Sequence, residues 1–338
     1  MILAGDIGGT NTRLAFFDVS GGRLQLVTIN VFPSRQHAGL AEIVAKFVAA
    51  NNNLQPEAAC FGIAGPVRNG RVTASNLPWI VESKRLADEL KLKEAVLIND
   101  LEANAWGIPA LAPGDVVALN KVEGNPAGNQ AVIAAGTGLG EAGMYWDGRQ
   151  HHIFASEGGH GDFAPRNDLE MELFRYLESR FGHVSYERIV SGPGLVNVYH
   201  FLRDTGRGQE PAWLAEEMAK SDPGAAISKA AVGGKCPLCE QAVDLFVSIY
   251  GAEAGNLALK LMSIGGVYLG GGIAPKMLAK LSGPLFMQAF VGKGRMQALL
   301  ESIPVRVITN DKAALLGAAR CAATKLAAAK RDPHGVGD

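Results

Sequence analysis

Apolar and polar positions change period several times along the chain, and each change marks a predicted element. A short apolar strand opens the chain, turns through Gly5, Gly8 and Gly9, and resumes as a second apolar strand over residues 14–17. Leu26, Val27, Ile29 and Val31 predict a third strand over residues 25–33. Then Leu40, Ile43, Val44, Phe47 and Val48 recur at i, i+3, i+4, i+7 and i+8, the apolar face of one helix. A strand at residues 58–63, a hairpin-like pair at 71–75, a helix at 83–90 and a strand at 95–98 complete the first half. Three strands followed by helix, strand, helix and strand predict a mixed sheet with helices over it.

A boundary falls between Pro109 and Pro113, where Ile108-Pro-Ala-Leu-Ala-Pro-Gly114 interrupts the helix that follows Asp100. The second half begins at Val116. It carries a helix at 168–181 with Leu173, Phe174, Leu177 and Phe181 inward, and a long helix at about 241–263. A strand at 305–308 and an Ala-rich helix at 313–330 follow, and the tail 331–338, with Pro333, Gly335 and Gly337, is expected to fray. The 338 residues suit two α/β domains, a small one over 1–110 and a large one over 111–310.

The glycines of the first hairpin let backbone N–H groups approach an anion, and Thr10 and Asn11 add side-chain donors. Neither the dinucleotide fingerprint nor the P-loop spacing is met. Asp6, read inside the turn, would repel a bound triphosphate unless Mg²⁺, held through water, lies between them. An ordinary hairpin is the competing reading of this stretch alone. Residues 131–147, with Gly136, Thr137 and Gly138 at the turn, repeat the plan of apolar strand, turn, apolar strand and closing Asp. Two such hairpins suggest two related halves closing on one nucleotide. A third Gly-rich stretch, with Gly270, Gly271 and Gly272, suits packing against a flat adenine ring.

Composition narrows the partners. With Lys+Arg 32 against Asp+Glu 33, no basic face for nucleic acid or an anionic membrane is expected. The four cysteines are too few for a disulfide framework and fit a reducing, cytoplasmic setting. Cys236 and Cys239 have C-x-x-C spacing, open to a metal or redox role or to two small residues near a helix start. No secretory signal or membrane span is read, so a soluble chain is expected.

Candidate chemistry sits where strands end. Asn99 and Asp100 follow the apolar run Val96-Leu-Ile98, and polar residues at a strand's carboxyl end face the crevice of an α/β sheet. A carboxylate there suits in-line phosphoryl transfer, accepting the proton of the attacking hydroxyl; alternatively Asp100 only caps the following helix. Glu157, His160 and Glu187 lie in Gly/Ser-rich surroundings and suit sugar hydroxyls, which both donate and accept. A zinc site from His151, His152, Glu157 and His160 is the rival.

The three Gly-rich stretches resemble the phosphate and adenosine motifs of the sugar kinase and actin superfamily. Asp6-Ile-Gly-Gly-Thr-Asn11, Ile98-Asn-Asp100, Ala135-Gly-Thr-Gly-Leu-Gly140, Glu157-Gly-Gly-His160, Glu187-Arg-Ile-Val-Ser-Gly-Pro-Gly-Leu195 and Gly265-Gly-Val-Tyr-Leu-Gly-Gly-Gly-Ile273 together resemble the bacterial glucokinase family, from Ala4 to about Ala318. The resemblance implies a two-domain actin-like ATPase (ribonuclease H-like) fold with an interdomain cleft, the last helix returning to the first domain, and commonly a homodimer. It implies phosphorylation of glucose at its 6-hydroxyl by ATP with Mg²⁺. Carried over, it puts Asn99, Asp100, Glu157, His160 and Glu187 around the sugar with Asp100 as base. It puts Gly5, Asp6, Ile7, Gly8, Gly9, Thr10, Asn11, Gly136, Thr137 and Gly138 at the phosphates, Asp6 holding Mg²⁺ through water, and Gly270 to Gly272 at the nucleotide. The cysteine-rich zinc motif of the related ROK sugar kinases has no full counterpart, so no structural zinc is expected. Alternatives are a kinase for glucosamine or mannose, a filament or chaperone-like ATPase, and a non-catalytic sugar-responsive regulator. The regulator would carry a DNA-binding segment ahead of the first loop, which here starts at residue 5.

Overall fold

The computed structural model describes residues 1–331 apart from 22, 76 and 125. The tail expected to fray lies outside the described residues except for Arg331, which closes the last helix. The chain divides into two compact units, one made of Met1–Pro113 with the segment from Asn310 onward, the other of Gly114–Thr309.

The first unit begins with β1 (Ile2–Ile7), β2 (Asn11–Ser20), β3 (Arg23–Pro33), α1 (Leu40–Ala50) and β4 (Ala58–Ile63). It continues through β5 (Arg71–Thr73), β6 (Ile80–Glu82), α2 (Ser83–Leu90), β7 (Ala95–Asn99) and α3 (Asp100–Gly107). Its five-stranded sheet has the order β3-β2-β1-β4-β7, antiparallel in the hairpins and parallel from β1 through β4 to β7. Alternate residues serve opposite faces, as the two-residue period of a strand requires. Leu3, Leu14, Phe16, Phe61 and Leu97 pack beneath α1 and α2, where Phe16 and Phe47 stack at 5.0 Å. Ile2, Ala15, Phe17, Cys60 and Val96 pack on the opposite face with the last helix of the chain.

The second unit comprises β8 (Val116–Ala118), β9 (Gln130–Ala135), β10 (Leu139–Trp146), β11 (His151–Ser156), α4 (Asp168–Phe181), α5 (Gly192–Asp204), α6 (Ala212–Lys220) and α7 (Pro223–Val232). Then come α8 (Pro237–Leu261), β12 (Gly266–Gly270), α9 (Leu278–Leu281), α10 (Pro284–Val291), α11 (Gln297–Glu301) and β13 (Val305–Ile308). Its sheet order, β11-β10-β9-β12-β13-β8, repeats the plan of the first: an antiparallel three-strand meander joined to parallel strands. The described residues end in α12 (Ala313–Arg331), which packs along α3 in the first unit. Among the described residues no helix is long and apolar enough to cross a membrane.

Three local expectations are corrected. Gly5 and Asp6 belong to β1 rather than to the turn, which is confined to Gly8–Thr10, and β2 already starts at Asn11. Gly5 is small because a Cβ there would sit 2.5 Å from the Phe61 ring, a packing reason rather than a turning one. The pair read within residues 71–75 instead spans a longer loop, Arg71–Thr73 pairing with Ile80–Glu82. The long helix starts earlier, at Pro237, because Cys236 serves as its N-cap and its Sγ accepts the Cys239 N–H at 3.4 Å.

The seam between α12 and α3 has no space for a side chain at Gly317, where a Cβ would strike the Ala103 carbonyl. Gly317→Ala is expected to lower the unfolding free energy by about 1–3 kcal/mol in urea titrations. Unchanged stability would mean that the seam yields freely.

Candidate active site

In the first unit the candidate groups share one sheet edge. Parallel pairing aligns Ile7 with Ile63 and Ile63 with Asn99, so β1, β4 and β7 end together. The Gly8–Thr10 turn therefore lies about 10 Å, two strand spacings, from Asn99 and Asp100. Gly8 N–H donates to Asn11 O at 2.9 Å and closes the turn. A buried residue that the sequence did not single out, Ser34, pins it from behind. Its N–H donates to Thr10 O at 2.9 Å and its Oγ to Gly8 O at 2.7 Å, beside Thr12 Oγ1 at 3.0 Å. Gly9 is half-buried, while Thr10 and Asn11 are exposed.

Asp6 pairs across the hairpin with Arg13, whose Nη1 stands 4.0 Å from its carboxylate. The guanidinium is bound more closely to Asp311, by a 2.6 Å hydrogen bond to its carbonyl and a 3.2 Å ion pair. Burial accordingly outweighs Arg13 and raises the Asp6 carboxyl above the ordinary aspartate range. Magnesium keeps most of its waters and takes one or two carboxylates plus substrate phosphates. A single, under-neutralised carboxylate beside a glycine turn fits that donor set. No cluster of three or more His, Cys, Asp or Glu groups able to hold a metal occurs among the described residues.

At the end of β7 the capping question resolves in favour of Asn99. Its Oδ1 accepts the Leu101 N–H at 2.8 Å, and Glu102 Oε2 accepts the Asn99 N–H at 2.8 Å, a reciprocal capping box. Asn99 Nδ2 also donates to Gly65 O at 3.2 Å. Asp100 is thus the first residue of α3, and its Oδ1 shares the Leu101 N–H at 3.0 Å. In the same unit a cavity of about 400 Å³ is lined by Arg35, His37, Ser75, Leu77, Pro78 and Trp79. Its wall is tied to the Gly65 loop by Ser75 N–H donating to Ala64 O at 3.1 Å.

In the second unit another edge gathers Gly136–Gly138, Gly270–Gly272 and Glu187. Gly270 is paired with Ala134, and Ile273 N–H donates to Ala135 O at 3.3 Å, which sets the third glycine stretch beside the second hairpin. The Gly136 carbonyl accepts from Gly192 N–H at 2.8 Å, and Gly136 N–H donates to Gly138 O at 2.8 Å. Thr137, Gly271 and Gly272 are exposed. Glu187 is fixed to this hairpin: Oε2 accepts the Leu139 N–H at 2.9 Å and fills the space that a Gly138 side chain would need. His160 stands between the carboxylates, Nδ1 3.8 Å from Glu187 and Nε2 3.9 Å from Glu157. These separations exceed hydrogen-bond length, so the polar edges of the three groups are not spent on one another.

The zinc rival does not assemble. His151 and His152 occupy the far end of β11, about 17 Å of strand from Glu157. There His151 Nε2 meets Gly128 O at 3.0 Å and His152 Nε2 meets Asp147 at 2.6 Å.

Comparison with known proteins supplies the context. Residues 3–325 match the family model described as Glucokinase. The chain is 45% identical to the glucokinase of a Nostoc species, over 96% of this chain and 99% of that one. The crystal structure of a glucokinase from an Antarctic psychrotroph is similar with a TM-score of 0.81 at 30% identity, over 96% and 98% of the two chains. The ROK family glucokinase of Streptomyces griseus, solved with glucose and AMPPNP, shares the fold with a TM-score of 0.65 at 23% identity, over 96% and 99%.

The division of labour at the β7 terminus is measurable. Asn99→Ala is expected to cost about 1–2 kcal/mol of unfolding free energy through loss of the cap, and Asp100→Ala about 0.5 kcal/mol. The reverse order in urea unfolding would hand the cap to Asp100.

Proposed function

The chain belongs to the glucokinase family, and from that premise we propose how its residues carry the ATP γ-phosphoryl group to glucose. Its fold is that of the actin-like sugar kinases, and its activity is ATP-dependent phosphorylation of glucose. We take the acceptor to be the 6-hydroxyl and Asp100 to be the general base. The observation that carries this reading is the capping box. Asn99 and Glu102 form the capping box at the start of α3, and Asp100, whose Oδ1 shares the Leu101 N–H at 3.0 Å, is not the N-cap. A carboxylate on the first turn of a helix, at the edge that also carries the glycine turn, suits proton acceptance during in-line attack.

The remaining roles follow from donor chemistry. Glu157, His160 and Glu187 bind sugar hydroxyls, each of which needs both an acceptor and a donor. Glu187 is the most rigid of the three, since Leu139 N–H holds one of its oxygens while the other stays available. Asn99 retains one amide N–H beyond the bond to Gly65 O and contributes it to the sugar. Backbone N–H groups of the Gly8–Thr10 and Gly136–Gly138 turns, apart from those of Gly8 and Gly136 that close the turns, together with Thr10, Asn11 and Thr137, bind the phosphates. The exposed Gly271 and Gly272 leave a flat backbone surface for the nucleotide. When bound, Mg²⁺ supplies charge neutralisation for the phosphates; Asp6 is the residue that holds it, through water. A cytoplasmic setting, where ATP is available, suits this reaction.

Asp100→Ala is expected to reduce kcat on the order of 10²- to 10⁴-fold while nucleotide binding stays close to that of the parent protein. Steady-state kinetics and nucleotide titration check both parts, and near-normal turnover in the variant would remove Asp100 from the role of base.

A further inference from the structure

Beneath the turn that carries Glu157 and His160 lies a carboxyl group with no part in the chemistry above. Glu141, on β10, is 1% exposed, and its register partner on β11 is Ser156 at the entrance to that turn. Ser156 Oγ accepts the Gly158 N–H at 2.9 Å, and a Cβ on Gly158 would strike Glu141 Oε2. The turn therefore rests on the carboxyl. The other oxygen, Oε1, is buried and meets no hydrogen-bond donor among the described residues. Its neighbour is Glu253 of α8, fully buried and three residues on from Tyr250, whose hydroxyl donates to Ile133 O, the β9 register partner of Glu141. From Glu253 the network continues upward: Asn256 Nδ2 donates to Glu253 Oε2 at 2.8 Å and to Tyr186 Oη at 3.0 Å. Tyr186 immediately precedes Glu187. The two carboxyls thus stand between the two turns that carry the sugar-facing groups.

Ionised carboxylates only accept hydrogen bonds, and two of them in a dry interior repel strongly. One proton between them removes the repulsion and supplies the donor that Oε1 lacks. We propose that Glu141 and Glu253 share a proton, and that this buried carboxyl pair positions the turn at 156–161 and the turn at 186–188 for sugar binding. The inference rests on the assignment of Glu157, His160 and Glu187 to the sugar.

The other titratable groups around the pair leave it short of positive charge. Lys260, on α8, lies 3.5 Å from Glu253 Oε1 and is largely exposed. Lys293 directs its Nζ to Ala252 O at 2.8 Å and Asn256 Oδ1 at 2.6 Å, and burial pushes it down to about 8. Tyr250 donates to Ile133 O, and burial pushes Tyr186 up to about 12. Burial and then the neighbouring Glu253 push Glu141 up to about 8, against a smaller opposing pull from Lys260. A carboxyl raised above its unfolded value favours the folded arrangement at low pH and ceases to do so as pH rises through its folded value. Loss of the shared proton sets two anions face to face under Gly158, and the turns loosen.

The test compares the full-length protein with Glu141→Gln, whose amide donates at every pH. Hydrogen exchange of segments 156–161 and 185–190 is followed by mass spectrometry from roughly pH 6.5 to 9, corrected for intrinsic rates. The expected result is protection falling about tenfold with pH in the parent and by less than about twofold in the variant. KM for glucose rises in parallel in the parent alone, with kcat changing by less than about twofold. Identical protection profiles in parent and variant would overturn the proposal. Protection that responds while KM does not would leave the pair standing and overturn the sugar assignment instead. Should Glu141→Gln fail to fold, Glu253→Gln gives the same comparison from the other partner.

Discussion

A strand buried on both faces presents polar groups mainly at its ends, and this constraint organises the protein. β1, β4 and β7 in one unit, and β9 and β12 in the other, carry apolar side chains to both sides of their sheets. Parallel pairing brings their carboxyl ends to a common edge. Asp6, the Gly8–Thr10 turn, Asn99 and Asp100 share one such edge; Gly136–Gly138 and Gly270–Gly272 share another. Chemistry gathers there because the interior of the sheet excludes it.

Backbone groups then do much of the holding. The Leu139 N–H fixes Glu187, the Gly192 N–H fixes the Gly136 carbonyl, and Ser34 bonds to both ends of the first turn. Glu187 is thereby tied to the Gly136–Gly138 hairpin within one unit, so the position of the carboxylate and that of the loop depend on each other. Asn99 performs a similar double duty, since its side chain caps α3 and clamps the Gly65 loop. With Asn99 as the N-cap of α3, the role proposed for Asp100 is compatible with the fold.

Much of this was legible in the sequence wherever local signals agreed. Residues 58–63, 83–90, 168–181 and 305–308 form the elements that their periodicity predicts, with Asn167 capping α4 and a left-handed Lys91 closing α2. Gly5 misled because glycine reads as a turn whether it frees the backbone or makes room for a ring such as Phe61. The start of α8 was misplaced because a cysteine is an uncommon N-cap. The candidate residues themselves stood out as polar breaks after apolar runs. Ser34, the Leu139 N–H and the Glu141–Glu253 pair did not, because their meaning lies in partners far along the chain, and a glutamate within an apolar strand gives no sign of what it faces. The cavity beside Trp79 was missed for the same reason, its walls coming from separate loops.

The most direct measurement is phosphoryl transfer by the purified protein from Mg·ATP to glucose, beside mannose, fructose, glucosamine and N-acetylglucosamine, with phosphorus NMR of the product. The account predicts glucose-selective turnover with the phosphate on the 6-hydroxyl. Phosphate at another position, or nucleotide binding without phosphorylation of any of these sugars, would contradict it.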